Sequence, residues 1–451
     1  MRRVMVQGLA RFSSSSSSSS RYYTHASACL AAAETSTDKS ATSGGAAGHV
    51  ETIVFPREGP GVNYALNWAL ASKGVAPQGD AYRNLKEKEL KKHKAAIPGS
   101  ASPAKIYARG SYSVGAADIS KAQFNGIFKE VTTHLSSAAK LYVHDGAVGS
   151  SPSVDVKVRT ISDSSSAALI LQSILDPAPT RVVSHDAFPL TVYVASNYSP
   201  TDHVRLGSEG KGGSIVIDYD RSTMILWGSA VNDTESVKMS LAALAAPSVT
   251  SRDALPLFSR LLVQGGSTVL LFAPESVVKS NPALLKAAVS PDLGIVWSKD
   301  GVARLFATHQ PQAANLYKTP SSLVLVTADS TGAVPDISKV TAEKAAALFV
   351  AGYNGEQFHP GYQPGPGSVD PVILAKGLSA LLEGSNIPAF LVNASLLSEN
   401  ELVKNIEATV TGKLPKSKVK KPSESAVDAL KSKYRKFTGQ RFPDLPNELK
   451  I

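Results

Sequence analysis

Hydrophobic and polar positions change period several times along the chain, and each change marks an element. The stretches KLYVHDGAV (140–148) and VDVKVRTIS (154–162) alternate as strands around the turn GSSPS. GGSIVIDYDRSTMILWG (212–228) alternates in the same way on both sides of Asp220–Arg221–Ser222, which predicts a hairpin. Short apolar runs follow the strand pattern at 189–196, 265–272, 293–298, 302–308, 321–329 and 387–395. Helical spacing appears at 64–71, 120–139, 164–175, 234–245, 341–352 and 371–384. A charged helix is expected over RNLKEKELKKHK (83–94), and a short strand over ETIVF (51–55). Hairpins mixed with βα units predict an α/β chain, α+β in its mixed sheets, without internal repeats.

Composition narrows the class. Apolar residues make up 43% and charged residues 19%, enough to bury a large core. No run of about 18 apolar residues appears, so no membrane span is expected. The one cysteine, Cys29, excludes an intrachain disulfide framework and a thiolate metal cluster.

The net charge of +10 is unevenly placed. Residues 1–21 carry four arginines and no acid, and residues 413–441 carry ten Lys/Arg against Glu424 and Asp428. Everything between is near neutral. The first segment, rich in Arg, Ser and Ala, has the composition of a mitochondrial transit peptide. We read 1–23 as that peptide and 24–50 as a linker, with the protein in the matrix or on the matrix face of the inner membrane. The C-terminal segment, 413–451, reads as a basic tail. Lys416, Lys418, Lys420 and Lys421 lie in an extended Lys/Pro part. Lys431, Lys433, Arg435 and Lys436 lie in a basic helix with Tyr434 and Phe437 available for base stacking. Such an arm suits RNA or anionic lipid; a solvated tail is the plain alternative. The charge run Lys86–Lys94, with alternating signs, reads as a solvated helix face.

Six segments in order carry a resemblance. LYVHDGAVGSSPSVDVKVRTIS (141–162), GGSIVIDYDRSTMILWGS (212–229), GGSTVLLF (265–272), DLGIVWSKDGVARLF (292–306), VTAEKAAALFVAGY (340–353) and 371–395 resemble stretches of ATP-dependent phosphoenolpyruvate carboxykinases. The resemblance implies a two-lobed fold, an N-terminal domain over 51–232 and a nucleotide domain over 233–412, shortened between Leu305 and Ser321. It also implies where ATP, Mg²⁺ and Mn²⁺ would sit, and there the chain departs from the pattern. A phosphate-binding loop needs G-x-x-x-x-G-K-S/T, but FAPESVVKSNP (272–282) has no glycine, and Glu275 stands where phosphates would lie. Lys279 and Ser280 form a bare Lys-Ser pair. Of the acidic metal motif Asp292 persists beside Leu293. The substrate arginine matches Tyr112, with Arg109 out of register, and the catalytic lysine finds at most Lys238. No histidine falls where the transition metal needs one.

Losing one electrostatic clamp commonly costs about 10²–10³ in rate, and here several are missing together. The expectation is a non-catalytic body with no cofactor, built with other protein subunits into a large mitochondrial assembly: a ribosome or other RNA–protein particle, a respiratory complex or an ATP synthase. The alternative is a divergent carboxykinase converting oxaloacetate and ATP to phosphoenolpyruvate, ADP and CO₂. Other candidates are His144–Asp145 and Asp202–His203, which suit structural roles, and the Gly/Pro-rich segment 352–368, which suits an irregular surface loop.

Overall fold

The computed structural model describes residues 59, 61–99, 102–178, 189–199, 213–308, 310, 313–355, 357–411, 414 and 422–451. Pro56–Ile451 forms one compact unit. The architecture is α/β with mixed sheets, as expected.

The largest sheet holds β1 (Asp80–Arg83), β2 (Lys105–Arg109), β3 (Ala117–Asp118), β4 (Lys140–Val148), β5 (Val156–Ser162), β6 (Asp176–Pro177), β7 (Leu190–Ala195), β8 (Ser214–Asp218) and β9 (Thr223–Trp227). Their order is β1-β4-β5-β7-β9-β8-β2-β3, with β6 on β4. β4–β5 and β8–β9 are antiparallel; β5–β7 and β7–β9 are parallel. The hairpin turns where the pattern placed it, and Ser222 takes a positive φ of 51° there.

These central strands are apolar on both faces because helices cover both. Side chains alternate across a strand. Val192, Val194, Ile215, Ile217, Met224 and Leu226 point to one core. Tyr193, Val216, Ile225 and Trp227 point to the other. The first core is closed by α4 (Ser165–Ile174) and α5 (Thr234–Thr250), the second by α1 (Tyr64–Ala71) and α3 (Lys121–Ser137). Asn63 caps α1, and Ser120 with Gln123 forms a capping box on α3. The charged helix is shorter than its sequence suggests. Only Glu87–Lys92 (α2) is helical, because Arg83 is recruited into β1.

A small antiparallel sheet joins β10 (Leu255–Leu257), β13 (Ile295–Ser298) and β14 (Gly301–Arg304). It straddles two cores: Val296 and Ala303 face the first sheet's helices, and Trp297 and Val302 face the third sheet. That third sheet is β11 (Arg260–Gln264), β12 (Ser267–Phe272), β15 (Ser322–Thr327), β19 (Ala389–Asn393) and β16 (Ile337–Val340), in this order. α8 (Ala342–Ala351) and α9 (Pro371–Gly384) cover one face; α6 (Glu275–Lys279), α7 (Pro282–Ala287) and α10 (Glu399–Thr411) lie toward the other. A two-residue pair, β17 (Tyr353–Asn354) with β18 (Gln357–Phe358), follows α8, and α11 (Glu424–Arg441) closes the chain.

One buried ion cluster ties the large sheet. Asp145 on β4 sits directly opposite Arg159 on β5. Arg159 donates from Nε and Nη2 to the two Asp145 oxygens at 2.7 and 2.9 Å, and Arg83 Nε reaches Oδ2 at 2.7 Å. Arg159 is fully buried. A lone charge there would cost several kcal/mol, so each partner is obligatory once the other is present. Nearby, His144 Nε2 is sealed without a hydrogen-bond partner, and burial pushes its pKa down to about 4.

Asp145→Ala is expected to destabilise the fold by about 3–5 kcal/mol in urea unfolding, because it leaves Arg159 buried and unmatched. His144 gives a separate pH signature. Its folded pKa lies below the unfolded value near 6.5, so the unfolded chain binds the extra proton. Stability should therefore be lost as pH falls from about 6.5 to about 4, by roughly 3 kcal/mol. A His144→Leu variant should flatten that slope.

Candidate functional site

α5, β11, the β12–α6 connection and the loop before β13 converge on a cleft of about 300 Å³. Glu235, Lys238 and Met239 come from the start of α5, Arg260 from β11, and Glu275 and Lys279 from α6. Pro291, Asp292 and Leu293 form a second wall, and Pro364 a third. Asp233 caps α5 by accepting from the Ser236 N–H, which fixes the first turn and the direction of Lys238.

Every cation in this cleft has a carboxylate partner. Lys238 Nζ meets Asp292 Oδ1 at 2.6 Å, Arg260 Nη2 meets Glu275 Oε1 at 2.8 Å, and Lys279 Nζ lies 3.6 Å from Glu235. The inner two pairs are sheltered; the Lys279–Glu235 pair is exposed and contributes little. Three positive and three negative side chains leave the lining without net charge. The sequence alone could not align Lys238. The fold brings it to Asp292, across 54 positions of chain. Asp292 is thus a half-buried, paired carboxylate.

A nucleotide–metal complex does not fit these residues. β12 passes through Ala273 and Pro274 straight into the five-residue α6, whose cap makes no side-chain hydrogen bond. Pro274 has no N–H to offer, and its carbonyl accepts from Val277 and Val278. Ser280 Oγ donates to the Val277 carbonyl at 3.0 Å, and Asp292 is committed to Lys238. Among the described residues, no three His, Cys, Asp or Glu side chains gather as a metal site.

Arg109 lies outside the cleft, held by Asp218 and by Asp220 at 3.7 Å. Tyr112 lines a different cavity of about 420 Å³ with Ser111, Asp370, Arg441 and Asp444. Burial and, secondarily, the Asp370 charge push its pKa up to about 12, while Arg441 opposes the rise. His144–Asp145 is not a catalytic pair, because the carboxylate is spent on Arg159 and Arg83. Asp202–His203 lies outside the described residues.

The basic helix forms, but its aromatic residues correct the expectation. Tyr434 is 4% exposed and packs 5.3 Å from Phe358 and 5.5 Å from Tyr353. Phe437 stacks on Phe358 at 4.2 Å, 7° from coplanar. Neither is free to stack on a base. Spacing explains it: Leu430, Tyr434, Phe437 and Thr438 fall on one helical face, and that face docks on the body. Phe442, Leu445 and Leu449 continue the contact. Lys431, Lys433, Arg435 and Lys436 point outward, with Lys431 4.0 Å from Asp428 and Arg435 Nε donating to the Ile451 carbonyl. Lys416, Lys418, Lys420 and Lys421 lie outside the described residues, as does the expected strand 51–55.

The Gly/Pro-rich segment 352–368 is a wall, not a loose loop. It supplies Phe358 to α11 and Pro364 to the cleft, and it pairs Gly367 with Val114. At Gly115, with φ +72°, a Cβ would lie 2.3 Å from the Gly365 carbonyl oxygen, so the approach requires glycine.

Tyr434→Ala should cost about 3 kcal/mol of stability through the cavity it opens. Arg435→Gln with Lys436→Gln should stay within about 0.5 kcal/mol. Thermal unfolding of the two variants separates the buried face from the outward one.

No family model matches the chain. Among curated proteins, "Phosphoenolpyruvate carboxykinase (ATP) 2" of Moorella thermoacetica is 20% identical over 304 residues, covering 53% of this chain and 56% of that protein. The chain thus spans little more than half the length of this relative. With the mixed α/β architecture, this similarity is a distant relationship to ATP-dependent phosphoenolpyruvate carboxykinases.

Proposed function

We propose that this chain is a non-catalytic carboxykinase-like protein, imported into mitochondria, that serves as a structural or interaction subunit of a large assembly. The observation that carries the non-catalytic part is the self-paired cleft. Phosphoryl transfer depends on unspent cations and metal-bound oxygens around the phosphates. Here Lys238, Arg260 and Lys279 each face a carboxylate of the same chain. The mitochondrial part rests on the Arg/Ser-rich N-terminal composition. The assembly part rests on a well-buried core around a neutralised cleft, with outward Lys431, Lys433, Arg435 and Lys436 offered to RNA, anionic lipid or acidic protein. A mitochondrial ribosome or other RNA–protein particle suits that basic face; a respiratory complex or ATP synthase is the membrane-associated form of the same proposal. Among the described residues, no helix is long and apolar enough to cross a membrane.

The competing reading is an active, divergent ATP-dependent carboxykinase. The relative's name favours it, and so does the meeting of Lys238 with Asp292 in one cleft.

Two measurements decide. The full chain should show no saturable, Mg²⁺-dependent ATP binding at millimolar nucleotide; saturable binding would overturn the non-catalytic reading. In native fractionation of mitochondrial extract, the protein should migrate far above its monomer size. A ribonuclease-sensitive peak selects the RNA–protein assembly, a detergent-sensitive peak the membrane complex, and monomeric migration rejects the subunit role.

A further inference from the structure

We propose that the cavity beside Tyr112 is a binding site for a small zwitterion, an α-amino acid with an apolar side chain. The site lies apart from the cleft and holds whether or not the cleft is catalytic. Segment 364–370 gives Pro364 to the cleft and Asp370 to the cavity, so one stretch of chain walls both. Tyr112 lines the cavity and not the cleft.

Three elements close the cavity. The loop after β2 brings Ser111–Val114, the cap of α9 brings Asp370, and the end of α11 brings Arg441 and the turn to Leu445. The volume of about 420 Å³ falls within the range of small-molecule sites, about 300–1,000 Å³. Phe442 and Leu445 are buried against the core of the third sheet. With Val114 and Val372 they give the cavity a fixed apolar wall.

The polar groups decide the ligand. In the cleft each cation meets a carboxylate; here opposite charges stand apart. Asp370 and Arg441 act on the same Tyr112 hydroxyl, one raising its pKa and the other lowering it, yet they form no ion pair with each other. Burial first, and then the Asp370 charge, keep that hydroxyl protonated, so it stays a neutral donor. Asp370 spends Oδ1 on the Val372 N–H at 2.8 Å. Among the described residues, Arg441 and Asp444 have no ion-pair partner. Ser111 is spent, since its N–H and hydroxyl both donate to Asp220 at 3.0 Å. The open charges are thus two carboxylates and one guanidinium, a net charge of −1. That balance repels a dianion, and a plain cation would face Arg441 as a like charge. A zwitterion answers both. Its ammonium turns to Asp370 and Asp444, and its carboxylate to Arg441 and the Tyr112 hydroxyl. Because Asp370 and Arg441 bear on one hydroxyl, the two charges of the ligand must be close, as they are on a single Cα.

The test is calorimetric titration of L-phenylalanine into the full chain at neutral pH. Saturable binding with a Kd at or below about 1 mM is expected; its absence overturns the proposal. Asp370→Asn keeps the α9 cap, since Asn caps as well as Asp does, and Arg441→Gln changes an exposed side chain. Each should weaken binding at least about tenfold, whereas Lys376→Gln, on the exposed face of α9 and outside the cavity, should stay within about twofold of the native chain. A cavity variant that binds like the native chain overturns the site, as does a Lys376→Gln loss equal to that of Arg441→Gln. Hydrocinnamate, which lacks the ammonium, and ε-aminocaproate, whose charges are far apart, should each bind at least about tenfold more weakly than L-phenylalanine. Equal binding of hydrocinnamate overturns the zwitterion, and equal binding of ε-aminocaproate overturns the α-amino acid.

Discussion

The Asp145 carboxylate is the constraint from which the rest of the large sheet follows. It receives both arms of Arg159 and Nε of Arg83, and its own N–H donates to Asn84 at 2.7 Å. Three strands, β1, β4 and β5, are fixed in register by one side chain. A slip by one residue would turn every side chain of β5 to the opposite face and leave Arg159 in hydrocarbon. The penalty for that error is far larger than the net worth of the pair itself, so the ion cluster specifies more than it stabilises. The segment LYVHDGAVGSSPSVDVKVR therefore has a structural reason for its Asp and Arg that needs no reaction.

From that sheet the order passes to the other half of the molecule through β4 and α4. The Gly149 and Ser150 N–H groups donate to the carbonyls of Leu305 and Arg304, and Ala307 N–H donates to Ile174. Arg304 reaches Asp176 at 2.8 Å. Burial lifts the Asp176 pKa against the pull of that guanidinium. The β13–β14 hairpin is thereby held against β4, and the loop before it carries Asp292 to the cleft. The charge balance of the cleft is thus a consequence of the same scaffold, and the positions of Lys238, Arg260 and Asp292 are set by elements that do not depend on any ligand.

Much of this was legible because both faces of the central strands are buried. Period-two patterning at 140–162 and 212–228 located β4, β5, β8 and β9 closely, and the helices at 121–137 and 342–351 fell where apolar spacing placed them. Short elements were not legible. β2, β10 and β11 were missed, because each holds only three to five residues, with an Arg at one end of β2 and of β11 and a Pro inside β10. α10 was missed as well: its polar residues match a surface loop until packing of Leu402 and Ile406 is known. α5 runs past the expected end and includes Pro247, whose position the contacts of Leu244 and Val249 in the core override. At the candidate site, the absence of a glycine-rich loop over 272–282 was plain from sequence. The three ion pairs were not, since pairing of residues 15 to 54 positions apart, such as Arg260 with Glu275 or Lys238 with Asp292, is a property of the fold.

The C-terminal helix shows how a correct element can carry a wrong inference. Basic and aromatic residues interleave in SKYRKF, a composition shared by nucleic-acid arms and by amphipathic helices that dock on their own body. The two differ in phase. An arm needs cations and rings on one face; here the rings fall on the face of Leu430 and Thr438, and the outward positions are left to Lys431, Lys433, Arg435 and Lys436. Phe358, from the Gly/Pro-rich wall, completes the seat. Docking this helix therefore converts what composition presents as a flexible polycation into a fixed basic surface. A fixed surface loses less entropy on binding than a tail does.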